Sequence, residues 1–308
     1  MANTRTALAM EGSGAGMLIG RRARRKRSAA PKKRIAKLQI LPSWRIRFIV
    51  RTPHGARRPF TRNPGMPAPR FHCPAPLAPH ARIELPDALA HHALRVLRLR
   101  PGAPITLFDG GGGEYPAILQ ADGKAAWADT GEFDPVEREL PGHITLLQGM
   151  AGGDKMDWII EKAVETGAAR VVPITADRSV LRLAGPRLAR RLTHWRAITR
   201  AASEQCGRNR LMAVADPQPL AEALRGLTPA EGPALFCHPE GALPLAQALM
   251  PVRDRLNLLV GPEGGWSDAE LAAAATAGLV PVTVGPRVLR TETAGVALIA
   301  AATALLGW

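Results

Sequence analysis

The sequence predicts an α/β protein whose C-terminal half forms a parallel sheet flanked by helices. Two short apolar runs, residues 256–260 and 280–284, each stop at a Gly-Pro pair, as buried parallel strands that end in tight loops do. Residues 143–174 follow strand, helix and strand patterns in turn, which indicates a βαβ unit and therefore parallel strands. A small β-rich region and a basic tail precede this part of the chain.

The first 69 residues form a basic, low-complexity tail. They hold 17 Lys or Arg and one acid, Glu11, so a charge of +16 lies here and the remaining residues carry −1 of the total of +15. Because the tail lacks apolar periodicity, we expect it to be disordered. Its composition fits a basic arm that binds phosphates or an Arg-rich targeting peptide. Any RNA affinity of the remaining chain must come from local patches.

Cysteine usage and hydropathy limit the compartment and the kind of site. Cys73, Cys206 and Cys237 are scattered, without a Cys-x-x-Cys pair, which favours a reducing compartment over a disulfide framework or a zinc site. The eight histidines lack ligand spacing with acids or thiols, so we expect no metal. No run of 18 apolar residues occurs, which predicts a cytoplasmic protein with no membrane partner.

Residues 70–140 are predicted to form a small β-rich domain. Glycine-bearing turns separate its predicted strands, which are residues 105–108, 115–119 and 125–128. One helix is predicted over 87–99, and the apolar side chains on one of its faces are Leu89, Ala93, Val96 and Leu97. A second face carries His91, Arg95 and Arg98. Such a face is either solvated or in contact with RNA phosphates.

Residues 141–308 are predicted to form the larger domain, which begins with a strand at 143–148, a helix at 154–166 and a strand at 170–174. A basic helix follows, and within 24 residues with Glu204 as their only acid there are seven arginines, Arg187, Arg190, Arg191, Arg196, Arg200, Arg208 and Arg210. Guanidinium groups favour phosphates through paired hydrogen bonds, so we expect this region to contact RNA. Glu204 and Gln205 are expected to bind a base edge or to fix the helix end.

Two glycine-bearing loops, residues 261–265 and 285–294, follow the two C-terminal strands and are expected at neighbouring strand ends. In open α/β sheets, ligands bind in the crevice beyond the carboxyl ends of the strands. Glycines let backbone amides and carbonyls approach a ligand without a Cβ in the way. We therefore place the ligand site between these loops.

Two helices accompany the loops. Ser267 and Glu270 have the spacing of a capping box, so a helix is expected to start there. Thr291 or Thr293 is expected to cap the last helix, with Glu292 in its first turn. Residues 294–306 are apolar on every side, which predicts burial against the core and against a second subunit.

The two loops resemble a specific family. Gly-Pro-Glu-Gly-Gly-Trp-Ser-x-x-Glu, followed by Gly-Pro-Arg-Val-Leu-Arg-Thr-Glu-Thr-Ala, is similar to the signature of the ribosomal RNA small subunit methyltransferase E family, a member of the SPOUT class. The resemblance implies a homodimer that uses S-adenosyl-L-methionine to methylate N3 of a uridine in 16S rRNA of the 30S subunit. It also implies a SPOUT-type domain with a trefoil knot, preceded by a PUA-like β-barrel domain. It further raises the alternative that residues 1–65 are not translated, because Met66 matches the family's start.

The resemblance and the residue chemistry together assign the site. There are three catalytic candidates. Arg290 is expected to stabilise the uracil anion or to bind the phosphate of the target nucleotide, and Glu292 is expected to orient Arg290. Glu263 is expected to bind a ribose hydroxyl or act as base. The cofactor-binding candidates are Val260, Gly261, Gly264, Gly265, Val284, Gly285, Leu289 and Thr291. The RNA-binding candidates are Arg70, His91, Arg95, Arg98, Lys155, Arg178, Arg196, Arg200, Gln205 and Arg208. No histidine lies in the two loops, so the group that removes the N3 proton is not identified.

Two other functions remain open at this stage. One is a SPOUT methyltransferase that acts on tRNA, and the other is a non-catalytic RNA-binding assembly factor. The chain has no Walker phosphate loop and no Gly-x-Gly-x-x-Gly after a strand, which argues against a Rossmann-type enzyme. The enzymatic hypothesis requires that the two glycine-bearing loops lie side by side around an open space.

Overall fold

The computed structural model describes residues 67–308 except 124, 180, 182 and 239–241. The tail at residues 1–66, with its three interpretations, lies outside the described residues. Within the described residues, no helix is both long and apolar enough to cross a membrane.

The N-terminal part of the described chain is a five-stranded sheet. Its strands are β1 (Arg70–His72), β2 (Arg82–Glu84), β3 (Pro104–Phe108), β4 (Tyr115–Asp122) and β5 (Ala125–Thr130). They lie in the order β1-β3-β4-β5-β2, with β1 parallel to β3 and every other pair antiparallel. The three predicted strands of this region are confirmed. Alternate side chains of β3 and β4 are buried, which gives this sheet its own core.

The helix predicted over 87–99 is shorter and less regular than expected. It consists of α1 (Asp87–His91) and a π-helical turn over His92–Val96. The wider π turn rotates the following side chains, so Val96 and Leu97 are 60% and 44% exposed instead of buried. The prediction that they belong to the apolar face is therefore wrong. Leu94 and Leu99 pack against the core in their place.

The C-terminal part contains an eight-stranded sheet in which every strand pair is parallel. Its strands are β6 (His143–Gly149), β7 (Arg170–Thr175), β8 (Ala213–Val214), β9 (Gln218–Pro219), β10 (Ala234–Cys237), β11 (Leu243–Pro244), β12 (Arg255–Val260) and β13 (Val280–Thr283). Their order is β11-β13-β10-β12-β6-β7-β8, and β9 also pairs with β7. The predicted parallel α/β fold is confirmed. One detail is corrected, because β10 lies between β12 and β13 and the two strands are not neighbours.

Helices cover both faces of this sheet. They are α2 (Lys155–Glu165), α3 (Gly185–Cys206), α4 (Leu220–Gly226), α5 (Leu245–Ala248), α6 (Asp268–Thr276) and α7 (Thr291–Leu306). On one face α2 packs against α3 and α7, while α4 and α6 contact each other in a separate apolar cluster. The residues Met156, Ile159, Ile160 and Ala163 of α2 are buried and form the face of this helix that packs into the core. The trefoil knot implied by the resemblance stays a prediction.

Candidate active site

A cavity of about 730 Å³ lies at the carboxyl ends of β10, β12 and β13. The two glycine-bearing loops that follow β12 and β13 both line it, together with the end of β10. The strand β10 separates the two parent strands, yet the loops converge because all three strands run in the same direction. The arrangement that the enzymatic hypothesis requires is therefore present.

The predicted cofactor-binding residues lie in or beside this cavity. Those that line it are Val260, Gly261, Gly265, Val284, Leu289 and Thr291. Gly264 and Gly285 belong to the same loops but do not line the cavity. A Cβ on Gly264 would lie 2.9 Å from both the Cβ and the carbonyl oxygen of Arg178. Gly264 thus lets the loop pack closely against the segment that carries Arg178.

A hydrogen-bonded chain joins the two loops to the core. Thr291 Oγ1 donates to the carbonyl oxygen of Gly261 at 2.5 Å and accepts from Nε2 of the fully buried Gln148 at 2.9 Å. The predicted cap is therefore wrong, because the Thr291 hydroxyl is engaged outside its own helix. The N-cap is Arg290, and no side chain caps α7. Glu292 lies in the first turn, as expected.

Lys155 lies between two carboxylates on the cavity wall. Its Nζ is 3.3 Å from Glu263 Oε1 and 3.7 Å from Glu292 Oε2. Glu263 also accepts from the backbone N–H of Gly152 at 2.9 Å. Burial opposes ionisation of Glu263, but these donors outweigh it, and the pKa of Glu263 lies below its usual range. A carboxylate with a lowered pKa is a poor proton acceptor, so the geometry does not favour Glu263 as a base.

Exposed arginines surround the cavity. Arg290 lines it, is exposed, and has no ion pair with another described residue. Glu292, which was expected to orient Arg290, faces Lys155 instead. Arg178 also lines the cavity, next to Asp177, which is held by the start of α6. There the predicted capping box of Ser267 and Glu270 is present, and Glu270 Oε1 accepts from the Asp177 N–H at 3.0 Å.

Several cavity residues were not assigned from the sequence, and four of them carry a thiol, an imidazole, an indole or a guanidinium group. These four are Cys237, His238, Trp266 and Arg287. Strand β10 ends at Cys237, at the same edge of the sheet as β12 and β13, so the next residue, His238, reaches the cavity. Burial raises the pKa of the Cys237 thiol, which disfavours the thiolate form. The rule that could have found His238 is that every parallel strand of a sheet ends at the same edge.

The RNA-binding candidates divide into exposed and buried groups. Side chains exposed to solvent are those of His91, Arg95, Arg98, Arg178, Arg196, Arg200 and Gln205. Lys155 is partly buried in the cavity, as described above. Arg70 and Arg208 are not free to contact RNA, because both lie at the junction between the five-stranded sheet and the larger domain.

Arg208 is a structural residue, which corrects its assignment to RNA. Its side chain is 5% exposed, forms an ion pair with Glu139, and donates to the carbonyl oxygens of Val164 and Ala168 at 3.0 and 2.8 Å. These partners use the donors that a phosphate would need. Buried guanidinium groups require such partners, since an unpaired buried charge is very costly.

Arg70 links the two domains, which corrects its assignment as well. Its guanidinium donates to Glu114 of the small domain and to the Asn209 side chain of the larger one. Arg138 reinforces the junction by donating to Glu114 at 3.2 Å and to the carbonyl oxygen of Gly207 at 2.9 Å. Burial disfavours the charge on Glu114, but the two arginines overcome this and lower its pKa.

The segment after α3 is a docking surface for the small domain. The Glu204 side chain, expected to bind a base or fix the helix end, accepts from the backbone N–H of His72 at 2.9 Å. Arg210 forms isolated bridges with Gly110 and Gly111 in the loop between β3 and β4. Gly112 in this loop has a φ of +114°, a conformation that L side chains rarely adopt, so the turn that lies beside the Arg210 guanidinium favours glycine.

Among the described residues, no group of three or more His, Cys, Asp or Glu side chains is arranged so that it could hold a metal ion. The charged and ionisable side chains in the cavity include three carboxylates, one lysine, one histidine and three arginines. Such a set suits an organic ligand that carries a positive and a negative group. The apolar side chains and the glycine backbone of the cavity can contact the rest of that ligand.

Comparisons with known proteins agree with this architecture. A family model described as an RNA methyltransferase domain matches residues 138–303, and one described as an RNA methyltransferase PUA domain matches residues 85–129. The fold and the cavity thus define an RNA methyltransferase of the SPOUT class with a PUA-like domain. Ribosomal RNA small subunit methyltransferase E of Synechocystis is 34% identical over 233 residues, which cover 73% of this chain and 74% of that protein. The chain belongs to the ribosomal RNA small subunit methyltransferase E family.

Other relatives extend the comparison. The protein of the same name from Bacillus subtilis is 30% identical over 66% of this chain and 82% of its own length. The structure of a ribosomal RNA small subunit methyltransferase E from Neisseria gonorrhoeae, described as bound to S-adenosyl methionine, has a TM-score of 0.72 and 38% identity over 77% of this chain and 98% of its own. A Legionella pneumophila methyltransferase, solved with the same cofactor, has a TM-score of 0.74 and 30% identity over 78% and 98%.

Proposed function

We propose that this protein transfers the methyl group of S-adenosyl-L-methionine to N3 of a uridine in 16S rRNA of the 30S subunit. The observation that carries the proposal is the cavity that the two glycine-bearing loops and the end of β10 enclose. Two similar structures were solved with this cofactor, and the curated relatives are named for the ribosomal RNA of the small subunit.

The residues of the cavity fit the cofactor. Its volume lies within the range of about 300–1,000 Å³ that is typical of small-molecule sites. Val260, Val284 and Leu289 would form apolar walls for the adenine, and backbone groups of the loop at 261–265 would bind the ribose. Gly264 and Gly285 support the two loops. When bound, the cofactor supplies an electrophilic methyl group on a sulfonium.

The charged side chains of the cavity are suited to methyl transfer from a cationic cofactor to uracil. Lys155, Glu263 and Glu292 together carry one net negative charge, so this part of the wall complements a cationic group, whereas Arg178, Arg287 and Arg290 make other parts of the wall cationic. Arg290, which has no ion pair among the described residues, is free to face the uracil. A cation beside the uracil oxygens stabilises the ring after it loses its N3 proton. We assign Arg290 to this step and Glu292 to holding Lys155.

RNA binding is assigned to exposed cations in both domains. We propose that residues 70–140 form an RNA-binding domain that uses His91, Arg95 and Arg98, and that 141–308 form the catalytic domain. In the catalytic domain the proposed contacts are Arg178, Arg196, Arg200 and Gln205, all exposed. Each exposed arginine can form paired hydrogen bonds with a phosphate.

We propose further that the protein is a homodimer that works in the cytoplasm, where ribosomal subunits assemble. The support is the apolar helix α7, which packs one side against α2, β6 and β12 while Leu305 stays 55% exposed. Trp158 on α2 is also exposed. Analytical ultracentrifugation of the wild type and of Leu305→Asp checks the dimer, and a monomeric wild type contradicts it.

The decisive experiment gives the full chain labelled S-adenosyl-L-methionine and 30S subunits that lack the modification. We expect label in 16S rRNA, and mass mapping should place it on N3 of one uridine. Calorimetry with the cofactor alone should give heat for the wild type. Transfer to tRNA or to another base would overturn the proposed substrate. Binding of RNA without cofactor heat would show a non-catalytic assembly factor.

A further inference from the structure

A second, smaller cleft lies outside the active-site cavity. Its volume is about 320 Å³, and it is formed by the segment that enters α3 and by the first half of that helix. The residues that line it are Leu181, Leu183, Arg187, Arg190, Arg191 and His194. The cleft thus has aliphatic side chains and four groups that can carry positive charge. The sequence predicts that its three arginines contact RNA, but the proposed function gives this cleft no specific role.

One side of the cleft is fixed in place by Asp157 of α2. The Asp157 carboxylate accepts from Arg191 at 3.4 Å and from Trp195 Nε1 at 3.0 Å, and it lies 2.6 Å from the ring nitrogen of His194. Trp195 is fully buried, so this carboxylate is anchored to the core. Arg191 and His194 are therefore held before any ligand arrives, which reduces the ordering that binding would require.

The other side presents two cationic side chains that form no ion pair with any of the described residues. Arg187 and Arg190 are exposed, and neither has an ion pair or hydrogen bond with another described residue. Apart from Asp157, whose carboxylate is already used, no acid lines the cleft. The uncompensated charge therefore favours an anion, and guanidinium groups suit phosphate oxygens in particular.

The remaining wall is apolar. Leu181 and Leu183 pack against the main core but keep part of their surface open. An anion alone gains nothing from leucine side chains. A nucleotide does, because its base can pack against an apolar surface while its phosphate meets the arginines.

The cleft is close to the active-site cavity along the chain. Arg178 lines the cavity, and Leu181 follows three residues later, so their Cα atoms are at most about 11 Å apart. We propose that the cleft binds one unpaired nucleotide of the RNA that flanks the target nucleotide. This proposal rests on the proposed function, since it takes the RNA substrate as given and names the subsite that positions it.

The test measures the affinity of the full chain, saturated with the cofactor, for a short single-stranded oligouridylate over a range of salt concentrations. Arg187→Ala combined with Arg190→Ala should raise the Kd roughly tenfold, and the slope of log Kd against log salt should decrease by about 1.4 for two lost phosphate contacts. The control pair, Arg225→Ala with Arg253→Ala, removes the same charge from residues that line neither cavity. It should change the Kd by less than about twofold.

Two further measurements separate a nucleotide from a simple anion. Leu183→Ala keeps every charge and should raise the Kd about threefold with an unchanged salt slope. Oligouridylate that carries 4-thiouridine should crosslink to the wild-type peptide that contains residues 181–194, which needs no variant to fold. The same oligouridylate annealed to oligoadenylate should bind more weakly, since its bases are stacked and paired.

Each contrary result has a distinct meaning. If Leu183→Ala has no effect and pyrophosphate displaces the oligonucleotide as well as RNA does, the cleft is an anion site and the nucleotide assignment fails. If the double variant behaves like the control pair, or crosslinks map elsewhere, RNA does not use the cleft. If the double variant instead alters the sedimentation coefficient, the cleft contacts a second copy of the chain. Failure of the proposed function is separate, because the wild type would then give no methyl transfer to 30S subunits whatever the oligonucleotide does.

Discussion

Arginines of the domain junction and arginines of the exposed surfaces use the same side chain in different surroundings. At the junction, Arg70, Arg138 and Arg208 are paired with carboxylates and carbonyl oxygens on both sides of the boundary. On α3, Arg187 and Arg200 are exposed and have no partner among the described residues. The junction arginines are thus expected to determine stability and domain orientation, whereas the surface arginines remain available for a ligand. Separate measurements of stability and activity can test this division.

Replacement of Arg208 is expected to have the largest effect on stability. Arg208→Ala leaves Glu139 and two backbone carbonyls without their buried donor, so the free energy of unfolding should fall by roughly 3–5 kcal/mol. Urea denaturation measures this change. The matched control is Arg200→Ala in the exposed part of α3, which should alter stability by no more than about 0.5 kcal/mol. Equal effects of the two substitutions would contradict the division.

The variant Arg208→Lys tests whether the charge or the guanidinium geometry of Arg208 stabilises the junction. An ammonium is a compact point charge and cannot reproduce the planar fork that reaches Glu139, Val164 and Ala168 at once. We expect the lysine variant to recover only part of the stability lost in Arg208→Ala. Full recovery would mean that the charge alone matters at this position, not the guanidinium geometry.

Arg290 is the exposed arginine with the largest expected effect on activity. Arg290→Ala should leave the urea midpoint unchanged and lower kcat for methylation of 30S subunits by roughly 10²–10³-fold, the usual cost of one charge-stabilising donor. Single-turnover assays with labelled cofactor measure it, while calorimetry should give an unchanged Kd for the cofactor. A loss of cofactor affinity with unchanged kcat would place Arg290 in cofactor binding.

The sequence sufficed for the features that depend on local pattern. The strands of four or more residues, the parallel βαβ unit and the capping box at Ser267 follow from apolar periodicity and from short-range side-chain chemistry. The strands of two or three residues and the short helices α4 and α5 were not predicted. The convergence of the loops followed from the shared direction of parallel strands. Each of these predictions needs only residues that are close in sequence, or a rule that holds for every parallel sheet.

Features that depend on distant partners could not be predicted. Arg208 and Arg200 look alike in the sequence, and only the partner Glu139, 69 residues away, separates their roles. The strand order that inserts β10 between β12 and β13 is likewise a tertiary property. The π turn after His91 shifts Val96 out of the core, and no local propensity signals it.

Acid should weaken the junction through Glu114. Its folded-state pKa is lowered, so its contribution to stability is complete above the ordinary glutamate pKa of about 4.3 and is lost as the pH falls through the lower folded value. The free energy of unfolding of the wild type should therefore decrease in this acidic range. Glu114→Gln should be less stable than the wild type at neutral pH and lose less on acidification. Glu222→Gln, at an exposed position on α4, is the control and should keep the full acid dependence.

Replacement of Arg98 is expected to have the smallest effects, which separate stability from RNA binding. Its φ of +54° lies in the left-handed region, which costs most residues about 1–2 kcal/mol and costs glycine little. Arg98→Gly should therefore keep the wild-type stability or raise it by up to about 1 kcal/mol, because the greater backbone freedom of glycine in the unfolded chain offsets part of the gain. If Arg98 binds a phosphate, the same variant should weaken single-stranded RNA binding a few-fold and lower the salt slope by about 0.7. Thermal unfolding and anisotropy titrations measure the two effects. A variant that is less stable than the wild type would show that the Arg98 side chain supports the fold, and an unchanged salt slope would assign it to the solvated face.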